Sequence, residues 1–137
     1  MGRYKMRKFA LFAFLFSLLT IGTITFAVSG SNQRVEVVVV GATEHGPMQP
    51  TVKAIKDVAA KYGNKVKLTI YSFESEEGIK YMEAHTLTAH LNIVINGKYK
   101  YPVNDKVVTF QWFEGQQWTK KDLDAVINNI LNTKKNK

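Results

Sequence analysis

Residues 35–40 read VEVVVV, a nearly unbroken β-branched run of strand length. Two heavy atoms on each Cβ stiffen the side chain and favour extended backbone over helix. A strand with one wet face would alternate apolar and polar residues. A continuous run predicts a strand buried on both faces, in a sheet covered by helices.

The residues that follow supply such helices. After GATEHGP, Met48, Val52, Ile55, Val58, Ala59 and Tyr62 recur at spacings of three and four, one apolar helix face. Pro47 and Pro50 fall in the first turn, where a missing N–H costs little, and Gly63-Asn64 is a stop pair. Val66, Leu68 and Ile70 alternate with Lys67, Thr69 and Tyr71, which predicts a second strand over 65–73. Ser75 or Glu74 opens a short helix over 76–85, in which His85 near the end interacts with the helix dipole as a structural residue. A third strand over 91–95 ends in Asn96-Gly97, a strong hairpin signal. Residues 98–103 return as a fourth strand, and Asn104-Asp105 turns into a fifth over 107–113. Thr119, with Asp122 three residues on, caps a last helix whose inner face is Leu123, Val126, Ile127 and Ile130. The order β-α-β-α-β-β(-β)-α predicts an α/β fold, a mixed sheet flanked by helices on both sides.

Ahead of this fold stands a leader. Arg3, Lys5, Arg7 and Lys8 precede an apolar stretch over 9–28, and no acidic residue occurs before Glu36. That layout predicts a signal peptide or membrane anchor over 1–29, with its basic end retained in the cytoplasm and the rest extracytoplasmic. The stretch of 20 residues is long enough to span a bilayer, although Thr20, Gly22, Thr23 and Thr25 dilute its second half as in a signal peptide. Small residues at Ala27 and Ser29 also offer cleavage near 27–29. A linker over 30–33, a folded domain over 34–131 and a basic tail over 132–137 complete the organisation.

The chain carries 19 basic residues, but four lie in the leader and three among the last four residues, leaving 12 against 11 acidic ones. A balance of +1 over the domain implies no basic face for nucleic acid. There is no cysteine, so no disulfide staples the domain and no thiolate serves catalysis.

Element order and residues together resemble the thioredoxin-like superfamily over essentially all of 34–131. In that family the first core strand leads into a Cys-Gly-Pro-Cys loop at the start of a long helix. Here His45, Gly46, Pro47 and Met48 stand in its place, and the segment Thr88, Ala89 and His90 falls where the family carries a cis-proline. A cis bond before a non-proline residue costs about 2.5–4 kcal/mol, so a trans peptide is expected at Ala89. The resemblance implies a degenerate, redox-inactive member. Dithiol exchange needs an attacking and a resolving sulfur, and both are missing.

It also implies that the Gly46-Pro47 loop faces residues 88–90 across a groove that active relatives use to hold an extended substrate. The expected role is therefore binding of a protein or peptide outside the cytoplasm, without a cofactor. The alternative is a copper-binding or copper-delivery module through His45, Met48 and His90, since imidazole and thioether suit copper. Against it stands a plainer reading, a solvent-exposed imidazole and a core methionine. Glu44 beside His45 offers a base, yet no nucleophile elbow such as G-x-S-x-G is present, so no catalytic residue is nominated. Phe110, Trp112, Phe113 and Trp118 form a dense aromatic group. Either the last helix buries it or it presents a binding surface.

Overall fold

The central strand β1, Val35–Gly41, is flanked on both sides in the computed structural model, which describes residues 34–135. It pairs in parallel with β2 (Val66–Ser72), from Val35 opposite Val66 to Gly41 opposite Ser72. On its other edge it pairs antiparallel with β3 (Leu91–Ile95), from Val37 opposite Ile95 to Gly41 opposite Leu91. The result is an α/β fold with a mixed sheet and three helices.

Side chains alternate across the pleat, so the valines of β1 serve two cores. Val35, Val37 and Val39 join Val52, Ile55 and Val58 of α1 (Gln49–Ala60) and Leu123, Val126 and Ile127 of α3 (Lys120–Lys135). Val38 and Val40 meet Tyr81 and Met82 of α2 (Glu76–Ala84), with Leu87 and Val94. The strand is covered on both faces as expected, with one exception. Glu36 is exposed and lies 3.6 Å from Lys67, because α2 reaches only the far half of the second face.

The apolar spacing placed α1 correctly, but a 3₁₀ turn, Gly46–Met48, precedes the helix proper. Gly78 lets α2 approach the end of β2: a Cβ there would stand 1.9 Å from the Ser72 carbonyl oxygen. The cap of α2 is Ser75, whose hydroxyl accepts from the Gly78 amide at 3.0 Å.

The hairpin region departs from expectation. Asn96 and Gly97 both have positive φ, and Ile95 and Lys98 exchange backbone hydrogen bonds of 2.7 and 3.0 Å, closing a two-residue turn. The chain does not then continue along β3. β4 (Lys100–Val103) pairs instead with β5 (Lys106–Thr109) in a separate two-stranded sheet. The place beside β3 goes to residues 110–112: Ile93 donates to Phe110 O and Trp112 to Leu91 O, both at 2.9 Å. Packing supplies the reason. Val103, Val108 and Phe110 are buried in the core that α1 and α3 complete, so this second hairpin folds toward α3 rather than lying in the plane of β3.

α3 opens as the Thr119/Asp122 pair predicted. The Thr119 amide donates to Asp122 Oδ2 at 2.9 Å and the Asp122 amide to Thr119 Oγ1 at 3.3 Å. The helix runs on to Lys135, taking in residues read as tail. Burial pushes the Asp122 carboxyl up, but its hydrogen bonds from Thr119 and the nearby Lys106 outweigh that and hold it below 3.8. A depressed carboxyl stabilises the fold above its unfolded pKa and loses that contribution as pH falls through the folded value. Asp122→Ala is expected to cost about 1 kcal/mol at neutral pH. Urea denaturation should show the gap from wild type closing below pH 3.8.

Among the described residues no helix is long and apolar enough to cross a membrane. The leader expected over 1–29 and the linker over 30–33 lie outside the described residues.

Candidate functional site

β1 ends at Gly41, and the loop that follows is pinned from several directions. Gly41 has a φ of 150°, and a Cβ on it would lie 2.2 Å from the His90 carbonyl oxygen. That same oxygen accepts a 2.7 Å hydrogen bond from the Ala42 amide. Thr43 is buried, and its carbonyl accepts from Gln49 Nε2 at 2.8 Å. The His45 amide donates to Ala42 O at 3.0 Å, and Met48 to His45 O at 2.8 Å. Held this way, His45, Gly46 and Pro47 are exposed, whereas Met48 is 2% exposed and belongs to the core.

The segment opposite is anchored by a buried amide. Asn92 Nδ2 donates to Ala89 O at 2.8 Å, while its Oδ1 accepts from Gln111 Nε2 at 2.8 Å. Ala89 is buried, and Thr88 and His90 are exposed. Among the described residues every peptide bond is trans, as expected at Ala89. Neither the amide nor the carbonyl of Thr88 makes a hydrogen bond within the described residues.

Four rings meet where the loop and this segment approach. The His45 and His90 centroids are 6.0 Å apart, with Phe73 at 5.5 Å from His45 and 6.1 Å from His90. Trp112 lies nearly parallel to His90 at 5.9 Å and is 38% exposed. Its φ of 63° is the left-handed region, which an aromatic residue seldom occupies. The Leu91 carbonyl and the Trp118 indole, donating to Trp112 O at 3.3 Å, hold it there.

Beside the rings lies a groove of about 620 Å³, lined by Phe73, Ile79, Met82, Leu87, Ala89 and His90 among others. Ile79, 46% exposed, offers it an unpartnered apolar side chain. The groove runs between α2 and residues 86–90, so residues 88–90 form one wall. The other wall is α2 rather than the Gly46-Pro47 loop. Gly46 lines a different depression, with Gln49, Pro50 and Lys53.

Of the four aromatics nominated for binding, Phe110 and Trp118 are fully buried in the core and Phe113 packs against it. Trp112 alone among them stands exposed. The left-handed turn at Trp112 explains the difference, because it breaks the strand alternation that would have put Phe110 and Trp112 on one face. Phe73 was missed. Its signal was its place just past the C-terminal end of β2 beside β1, where open α/β sheets gather ligands. His85, read as structural, has Nδ1 2.9 Å from Tyr81 O and its ring stacked on Tyr81 at 4.0 Å.

The chain matches no family model, no curated protein and no solved structure.

Proposed function

We propose that residues 34–135 form a thioredoxin-like domain without redox chemistry that binds an extended segment of another protein outside the cytoplasm. It is tethered there by residues 9–28 or released by cleavage near 27–29. The β2-β1-β3 order, the loop at the end of β1 and the trans segment facing it support the fold assignment. The chain supplies no sulfhydryl, so its surface can hold a client but not exchange electrons with it.

One observation carries the binding reading. The unpaired amide and carbonyl of exposed Thr88 border an apolar groove. Free backbone groups take an extended chain by strand-like pairing, and the groove takes its apolar side chains. Titrating the full-length protein with a reduced, alkylated, permanently unfolded protein should give saturable binding. Hydrogen exchange should slow at Thr88 and Ala89. Binding that leaves those amides untouched would overturn the assignment.

A second reading, copper, is favoured by the separation of His45 and His90. Two metal–nitrogen bonds of about 2 Å added to two imidazole radii come close to the 6.0 Å between their centroids. Among the described residues no group of three or more histidines or carboxylates is placed to hold a metal, and Met48 is in the core. The ion would therefore rest on two imidazoles, ligands that suit copper among other transition metals. Cu(I) titration under reducing conditions is expected to show one site, lost in His45→Ala and in His90→Ala alike. Equal uptake by wild type and both variants removes this reading.

A further inference from the structure

At the opposite end of β1 from the groove, a second concavity of about 390 Å³ has walls of basic and amide side chains. Arg34 precedes β1, Lys65 precedes β2, and Lys134 and Lys135 close α3, with Tyr62 and Asn128 between them. Among the described residues no carboxylate lines it. Asp124 accepts from the hydroxyl of the wall residue Tyr62 at 3.0 Å and lies 3.3 Å from Lys61, while Glu36 lies 3.6 Å from Lys67. The C-terminal end of α3 adds only about half a negative charge. Cations and amide donors around one hollow are the chemistry that holds phosphate oxygens.

Chain connectivity says which phosphate. Five residues, 29–33, separate the apolar run from Arg34, and five extended residues reach at most about 18 Å. A bilayer that holds residues 9–28 therefore lies within that distance of the basic end. We propose that this concavity docks on the phosphate headgroups of an anionic phospholipid bilayer and holds the domain against the membrane by this end. The proposal rests on the tethered reading of residues 9–28. Basic side chains near an anionic surface each contribute enough to change occupancy about fivefold.

Full-length protein in nanodiscs tests it. With phosphatidylglycerol present, hydrogen exchange should slow around Arg34, Lys65 and residues 128–135 relative to phosphatidylcholine alone, with residues 86–90 unchanged. Added salt should reverse the protection, and Arg34→Gln/Lys65→Gln/Lys135→Gln should abolish it without shifting the melting temperature. Equal exchange in both discs, or protection that survives in the triple variant, overturns the proposal. Protection by inorganic phosphate in neutral discs would overturn the lipid assignment. Alkaline extraction separates the two levels: a chain washed from the membrane sinks the tether and the docking together. A chain that stays but shows no lipid-dependent protection sinks the docking alone.

Discussion

Gly41→Ala is expected to destabilise the domain by about 3 kcal/mol or more, among the larger effects a single methyl can have. The new Cβ would sit 2.2 Å from the His90 carbonyl oxygen and 2.7 Å from the Leu91 Cα, and both neighbours are backbone. Neither can swing aside as a side chain would. Relief requires β1 and the 90–91 segment to part, which breaks the 2.7 Å bond from Ala42 to His90 O. A φ of 150° adds strain for any residue with a Cβ. Gly46→Ala is the control, since nothing lies within 4 Å of a Cβ there. Urea denaturation should place Gly46→Ala within about 0.5 kcal/mol of wild type. Equal midpoints for Gly41→Ala and wild type would mean that the loop and the facing segment are not held as described.

The second large effect concerns recognition rather than stability. Trp112→Gly should weaken binding of an unfolded polypeptide by roughly tenfold or more, as removal of an exposed aromatic anchor does. Its effect on stability should stay within about 1 kcal/mol, because glycine relieves the left-handed strain while the lost side chain was only partly buried. Trp118→Ala makes the contrast: that side chain is 1% exposed, and truncating it should cost about 3–5 kcal/mol. Thermal melts and affinity for the alkylated, unfolded protein, read on both variants, separate the roles. A Trp112→Gly protein that melts like Trp118→Ala shows a core residue. One that folds and binds like wild type shows an aromatic with no part in recognition.

Legibility followed the range of the interactions involved. The residues of β1 announced a doubly covered strand because its side chains face apolar neighbours on both sides, and that demand is written residue by residue. The spacing of Val52, Ile55 and Val58 marked α1 for the same reason, as did Asn96-Gly97 for a turn that needs two positive φ values. Thr119 and Asp122 lie three apart and find each other within one helical turn.

What stayed hidden depended on distant partners. The departure of β4 from β3 reflects burial of Val103 and Val108 near α3, and no local signal separates that from an ordinary hairpin return. Trp112 looked like one more alternating strand residue until its backbone turned over. The approach of His45 to His90 has no signal in the local sequence, and neither do Phe73 and the wall built by α2, since none of them carries a motif.

β1 also sets a stand-off. Seven residues at about 3.3 Å each make a strut of roughly 23 Å, with Arg34 at its foot and the ring cluster at its head. Electrostatic influence fades over about 8 Å at physiological ionic strength. Under the proposed docking, a client at the head would stand nearly three screening lengths clear of charged lipid at the foot. Its capture should then be indifferent to membrane composition.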